Sequence, residues 1–84
     1  MKVVFADKAW EDFTYWLSHD RKIARRIVRL IDDIERRPFE GVGKPEPLKH
    51  DMSGFWSRRI NEEHRLVYAI EGDQILIAQA RYHY

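Results

Sequence analysis

The chain contains no cysteine and no long apolar run. Without cysteine there are neither disulfide bonds nor thiolate metal ligands, so packing must stabilise the fold and any catalysis must use other groups. Apolar runs such as Ile75 to Ala78 are far shorter than the roughly 20 residues that a membrane-spanning helix needs. The start, Met1 to Asp7, is too short for a signal peptide. We therefore expect a cytoplasmic protein without membrane association.

The chain is also short and nearly neutral. Its 84 residues include 15 lysines and arginines against 14 aspartates and glutamates, a formal net charge of +1. A chain of this length forms one domain, here residues 1–84, and buries roughly 60–65% of its unfolded surface. Hydrophobic residues make up 44% of it, including three tryptophans, four tyrosines and four phenylalanines, which is enough for one core.

Basic residues are concentrated in one segment in the first half of the chain. They are Arg21, Lys22, Arg25, Arg26, Arg29, Arg36 and Arg37. Such a cluster can bind a phosphate backbone, and on that interpretation Lys22 and Arg25 contact RNA. It is equally typical of a solvated helix face, because Asp32, Asp33 and Glu35 partly neutralise it. Composition alone does not decide between these two interpretations.

The first half of the chain reads as a strand followed by two helices. Lys2 to Ala6 is a short β-branched and aromatic run that ends at Asp7, a residue suited to a helix N-cap. Apolar residues at spacings of three and four predict a first helix over Lys8 to Ser18. A second helix begins after a cap at Asp20 and ends near Arg37. The short connection predicts an antiparallel helical hairpin.

The second half predicts a long loop followed by strands. Pro38 to Gly54 is rich in turn formers, which indicates either one long loop or two turns around a short extended piece, and loops of this length are often functional. Phe55 to Ile60, His64 to Ile70 and Gln74 to Tyr82 read as strands joined by hairpins. The predicted fold class is α+β, with an N-terminal strand and a two-helix hairpin packed on an antiparallel sheet.

Several chemical motifs can be set aside. Gly41 to Pro45 resembles a phosphate-binding loop only superficially, because the glycine spacing is wrong and Pro45 replaces the Ser or Thr that would hold magnesium. The four histidines have no metal-ligand spacing, so we expect no metal and no cofactor. Phe55 to Ile60 alternates rings with guanidinium groups, a mixture that can bind unpaired RNA, but a half-exposed strand has the same appearance.

Two further residues are suited to proton transfer. His83 carries the side chain whose ordinary pKa lies nearest neutrality, and it follows a strand directly. Glu46 lies between Pro45 and Pro47, which restrict its backbone. From spacing alone, a solvated loop glutamate is the better explanation of Glu46.

Motifs distributed over nearly the whole chain resemble the YoeB toxins, a group within the RelE and ParE superfamily of bacterial toxin-antitoxin systems. The segments that carry this resemblance are Pro38 to Gly41, Lys44 to His50, Ser53 to Ile60, Glu62 to Tyr68 and Arg81 to Tyr84. The resemblance implies a RelE-like α+β fold and a ribosome-dependent messenger RNA endonuclease. It also implies a YefM-type protein antitoxin as partner, and it leaves open whether the free chain is a monomer or a homodimer.

The resemblance also implies roles for individual residues. Glu46 would be the general base for the attacking ribose 2′-hydroxyl, Arg65 would stabilise charge on the phosphate, and His83 would protonate the leaving 5′-oxygen. Tyr84 would orient substrate or stack at the scissile nucleotides. Supporting contacts to phosphate or base would come from Lys49, His50 and Arg59.

Strand alternation conflicts with part of this assignment. If the last two strands pair through a tight turn at Gly72 and Asp73, Arg65 lies opposite Ala80, and His83 then belongs to the other sheet face. A bulge, or a bend after Arg81, would be needed to remove the conflict.

Three competing functions remain at this stage. A plain RNA-binding module would use the same arginines, and ParE-like relatives poison DNA gyrase without cleaving RNA. A small structural partner for another protein is the third. Paired acid and base groups distinguish the endonuclease, because binding alone needs neither.

Overall fold

A computed structural model describes residues 1–82, which form two helices packed on a five-stranded sheet. The elements are β1 (Lys2–Phe5), α1 (Asp7–His19), α2 (Arg21–Arg36), β2 (Glu46–Pro47), a 3₁₀ helix (His50–Met52), β3 (Trp56–Arg59), β4 (Arg65–Glu71) and β5 (Gln74–Gln79). The predicted α+β class is confirmed. Of the two predictions for the long loop, two turns around a short extended piece is correct, and that piece is β2.

The sheet is mixed rather than wholly antiparallel. Its strand order is β1-β5-β4-β3-β2, and β2 to β5 pair antiparallel as expected for the C-terminal meander. By contrast, β1 pairs parallel with β5, from Lys2 opposite Gln74 to Phe5 opposite Ile77. The direction of β1 could not be predicted, because no short turn joins it to its partner and two helices separate it from the rest of the sheet.

One of the two predicted helix caps is wrong. The side chain of Asp20 accepts hydrogen bonds from the backbone N–H groups of Lys22 and Ile23, at 3.1 and 3.4 Å, so the cap of α2 is confirmed. At α1 the N-cap residue is Ala6, which has no side-chain acceptor, and Asp7 lies inside the first turn. Its negative charge there still interacts favourably with the helix dipole.

The hydrophobic core lies between the helices and one face of the sheet. The fully buried side chains of α2 are Ile27, Leu30 and Ile34, and they pack against residues of β4 and β5 such as Leu66 and Ile77. Burial of this apolar stripe orients α2 over the sheet, since its polar face stays in water. Within residues 1–82, no helix is long and apolar enough to cross a membrane.

Arg58 is fully buried beneath α2, and all of its side-chain nitrogens are hydrogen-bonded. Nη1 donates to the carboxylate of Asp33 at 2.6 Å and to the carbonyl of Val42 at 3.0 Å. Nη2 donates to the carbonyls of Arg37 and Glu40, at 2.5 and 2.8 Å. A buried guanidinium with satisfied donors is a structural group. The RNA-binding interpretation of the run Phe55 to Ile60 therefore does not extend to Arg58.

The same network fixes the chain between α2 and β2. Nε of Arg58 donates to the hydroxyl of Tyr68, which in turn donates to the carbonyl of Pro38 at 2.7 Å. Asp33 accepts from Arg37 Nη2 and from the backbone N–H of Val42, at 2.7 and 3.0 Å. These hydrogen bonds hold the pKa of the Asp33 carboxyl well below its usual range. Loop residues 37–43 are thus tied to the core shortly before Glu46.

Candidate active site on the open sheet face

Three of the predicted site residues lie on the sheet face opposite the helices. Glu46 pairs with Ser57 across β2 and β3, and Arg59 pairs with Arg65 across β3 and β4. Directly paired residues share a sheet face, as do residues two apart on one strand. Arg58 points into the helical side, so Glu46, Arg59 and Arg65 share the other side. We call this side the open face.

Two like charges are adjacent on the open face. Arg59 and Arg65 are direct cross-strand partners, whose Cβ atoms in such a pair lie roughly 4.5–5.5 Å apart. Among residues 1–82, neither guanidinium forms an ion pair with a carboxylate. Like charges directly opposite one another destabilise a sheet. An anion bound between them, such as a phosphate, would offset that repulsion.

The turn between β3 and β4 orients Arg65. Its Nη1 donates to the carbonyls of Asn61, His64 and Glu62, at 2.8, 3.1 and 3.3 Å. The side chain of Asn61 accepts from the N–H groups of Glu63 and His64, at 2.9 and 2.8 Å, which makes the turn rigid. Within the described part of the chain, Nε and Nη2 of Arg65 make no hydrogen bond. One edge of the guanidinium is held while two nitrogens remain for a ligand.

A cavity of about 350 Å³ lies beside Glu46. Lys49 and His50 line it together with Glu46, so the structure brings together three residues that the sequence proposed separately. Arg59 and Arg65 do not line this cavity. They lie one and two strands away on the same face, and two strand spacings correspond to roughly 10 Å. A chain of two or three nucleotides spans that distance.

A β-bulge interrupts the regular strand alternation on which the conflict over Arg65 and His83 was based. Tyr68 pairs with Ile77, whereas Val67 pairs with Gln79, so Ala78 is an extra residue on β5. The backbone N–H of Arg65 consequently donates to the carbonyl of Tyr82, at 3.1 Å. Tyr82 also has a left-handed backbone, with φ +65°. The sequence predicted either a bulge or a bend after Arg81, and the structure contains both. His83 and Tyr84 lie outside the described residues.

Lys22 and Arg25 do not join the open face. Both are exposed on α2, in the helical layer, and Arg25 lines a small groove between the two helices. Sequence reasoning gave no special role to Arg26, whose Nη2 donates to the carbonyl of Arg59 at 3.2 Å. No local signal could reveal that contact, because 33 residues separate the two positions.

Within residues 1–82, no group of three or more histidine, aspartate or glutamate side chains is placed to hold a metal ion. The open face instead combines a carboxylate with two guanidinium groups and a cavity lined by a lysine and a histidine. Such a set can accept a proton and stabilise a negatively charged group.

Residues 5–84 match the family model for the YoeB-like toxin of bacterial type II toxin-antitoxin system. The chain is 58% identical to Toxin YoeB of Escherichia coli strain K12, over 84 residues that cover both chains completely. It is 60% identical to Toxin YoeB of Streptomyces coelicolor, again over 84 residues and the full length of both.

Solved structures give the same picture. A YoeB/ParE toxin from Agrobacterium tumefaciens superimposes with a TM-score of 0.98 at 45% identity, covering all of both chains. A toxin chain in a YoeB-YefM complex from Staphylococcus aureus superimposes with a TM-score of 0.93 at 42% identity, covering all of this chain and 98% of that one. A YoeB dimer from the same organism gives 0.94 at 44% identity, with the same coverage.

Proposed function

The chain belongs to the YoeB-like toxins of bacterial type II toxin-antitoxin systems, and from that premise we propose that it is a ribosome-dependent endoribonuclease that cleaves messenger RNA and so inhibits translation. The observation that carries the proposal is the placement of Glu46 on the same sheet face as two adjacent arginines without a carboxylate partner among residues 1–82. Binding alone would need the cations but not the carboxylate.

The proposed reaction is an internal transfer at the scissile phosphate. Glu46 takes the proton of the ribose 2′-hydroxyl, and the 2′-oxygen forms a bond to phosphorus while the bond to the 5′-oxygen breaks. His83 gives a proton to the leaving 5′-oxygen. The products are a 2′,3′-cyclic phosphate and a 5′-hydroxyl end, so no external water and no cofactor take part in this step.

The remaining residues position the RNA and stabilise the charge that develops on the phosphate. Arg65, together with Arg59, faces the charge that develops on the phosphate oxygens, where a preorganised cation contributes most. Lys49 and His50 hold phosphate or base in the cavity beside Glu46. Tyr84 orients or stacks on a nucleotide. Lys22 and Arg25, on the other layer, would contact a more distant stretch of ribosomal or messenger RNA.

We expect the chain to cleave a defined message on programmed ribosomes, with a rate that does not change when 1,10-phenanthroline removes transition metals at constant magnesium. The reason is that the proposed acid, base and cation are all side chains. Constant magnesium keeps the ribosome intact while the chelator removes transition metals. Binding without cleavage would favour the RNA-binding module, and loss of cleavage restored by a transition metal would contradict the metal-independent mechanism.

The cognate inhibitor is, on this proposal, a YefM-type antitoxin, supported by the S. aureus relative solved with YefM. It must neutralise Arg59 and Arg65, so we expect an acidic, disordered segment that folds across or alongside the open face.

Association of toxin and antitoxin should therefore slow markedly as salt rises from about 0.05 to 0.5 M, because screening weakens electrostatic steering. The measurement is the stopped-flow association rate against salt concentration. Arg59→Ala should flatten the salt dependence, whereas Lys2→Ala, at the opposite edge of the sheet, should leave it nearly unchanged. An association rate independent of salt would show that the partners do not meet by steering.

A further inference from the structure

The chain around Tyr82 is held by consecutive residues of the β3–β4 turn. Its backbone N–H donates to Nδ1 of His64 at 2.7 Å, and its carbonyl accepts from the N–H of Arg65 at 3.1 Å. Tyr82 adopts a left-handed backbone, φ +65°, which is strained for a non-glycine residue and persists only when the surroundings impose it. Both peptide groups of this residue are thus fixed to the turn that also orients Arg65.

Helix α1 holds the same segment along the edge that does not face β4. Beyond Ile77, the edge of β5 that faces away from β4 has no strand beside it, because β1 ends at Phe5. Side chains of α1 take the place of a strand: Asp12 accepts from the N–H of Ala80, and Nε1 of Trp16 donates to the carbonyl of Ala80, both at 2.9 Å.

Arg81, the residue after Ala80, is held by stacking on Tyr15. The guanidinium of Arg81 lies 3.5 Å from the ring centroid of Tyr15, a cation–π contact. Residues 80–82 are therefore fixed between α1 and the β3–β4 turn.

The side chain of His64 contacts both α1 and the segment that contains Tyr82. Its ring packs edge-on against Trp16, with centroids 4.8 Å apart, and lies 5.8 Å from the ring of Tyr82. Nδ1 must carry its lone pair to accept from Tyr82, because a backbone N–H can only donate. At that nitrogen His64 serves as a fixed acceptor.

We propose that His64 is a positioning residue for RNA cleavage, which fixes residue 82 against the turn that carries Arg65. The inference rests on the proposed function, in which His83, the next residue, is the general acid and Arg65 the phosphate-stabilising cation. A displacement of about 1 Å at a reacting group can lower a rate by roughly 100-fold. One imidazole acceptor thereby links the placement of the acid to that of the cation.

Two substitutions distinguish the hydrogen-bond acceptor of His64 from the packing of its ring. His64→Phe keeps a ring against Trp16 and Tyr82 but removes the acceptor, whereas His64→Asn places an amide oxygen close to the position of Nδ1. Glu63→Ala is the matched control, because Glu63 is exposed in the same turn and donates to the side chain of Asn61 through its backbone N–H, which the substitution keeps.

We expect His64→Phe to lower the single-turnover cleavage rate on saturating programmed ribosomes by about 10- to 100-fold, with ribosome affinity little changed. His64→Asn should restore most of the rate, and Glu63→Ala should match the wild type. Amide hydrogen exchange at Tyr82, measured without ribosomes, should be fast in His64→Phe and slow in the other three chains.

Several outcomes would overturn the inference while leaving the proposed function intact. They are a wild-type cleavage rate in His64→Phe, an equal loss in His64→Asn, or unchanged exchange at Tyr82 in His64→Phe. A wild-type chain that shows slow exchange at Tyr82 but no cleavage on ribosomes would overturn the proposed function itself.

Discussion

Glu46→Gln, Arg65→Ala and His83→Ala should each lower the single-turnover cleavage rate on saturating programmed ribosomes by roughly 10²- to 10⁴-fold, while ribosome affinity changes little. A positioned general base or acid contributes a factor of that order, and a cation at the phosphate acts on charge that is present mostly in the transition state. The double substitution of Glu46 and His83 should fall short of the product of the single effects, because groups that act as a unit are not additive.

Lys22→Ala and Arg25→Ala provide the contrasting pair. Both residues are exposed on α2, away from the open face, so we expect weaker ribosome binding with a flatter salt dependence and a nearly normal rate at saturation. Near-wild-type rates for both Glu46→Gln and His83→Ala would remove the acid and base assignment and favour a binding module.

Arg58→Met should lower the free energy of unfolding by about 3–5 kcal/mol. The substitution leaves a buried carboxylate without one of its partners and also removes hydrogen bonds from the carbonyls of Arg37, Glu40 and Val42. Arg59→Met is the matched control at the next position. It should change stability by less than about 0.5 kcal/mol, because Arg59 is exposed and its removal relieves repulsion with Arg65. Equal urea midpoints for the two variants would contradict a structural role for Arg58.

Asp33 makes the contribution of this network to stability depend on pH in acid. The pKa of its carboxyl is depressed in the folded chain by hydrogen bonds from Arg37, Val42 and Arg58. A depressed folded pKa contributes stability that is fully present above the unfolded value, about 3.9, and is lost as the pH falls toward the folded value. Below about pH 4, unfolding free energy should therefore decline less steeply in Asp33→Asn than in the wild type. Parallel curves from pH 5 to pH 2 would contradict this linkage.

Local signals predicted most of the fold. The Asp20 cap, the tight turn at Gly72 and Asp73, and the three C-terminal strands each depend on a few neighbouring residues, and each is confirmed. The parallel pairing of β1 was missed because it depends on the path of two intervening helices. The cap at Asp7 failed because Ala6 and Asp7 differ by one position, a distinction that residue preferences do not resolve.

Less of the candidate site than of the fold could be predicted from the sequence. The mixture of rings and guanidinium groups in Phe55 to Ile60 does not show which of Arg58 and Arg59 faces the core, yet one is buried and the other exposed. What distinguishes them is Asp33, a partner 25 residues away. The bulge at Ala78 leaves no mark in the sequence, although the conflict between strand alternation and the assigned roles predicted a bulge or a bend, and the structure contains both. His64 was passed over because its contact with Tyr82 exists only in the folded chain.

The proposed cleavage begins with attack by a ribose 2′-hydroxyl, and one change in the substrate tests this step. A message with a single 2′-deoxynucleotide on the 5′ side of the scissile phosphate binds the programmed ribosome normally but lacks the attacking group. We expect no cleavage at that phosphate, and a 2′,3′-cyclic phosphate with a 5′-hydroxyl end from the matched all-ribose message. Cleavage of the deoxy-substituted message at the same phosphate would contradict attack by the 2′-hydroxyl.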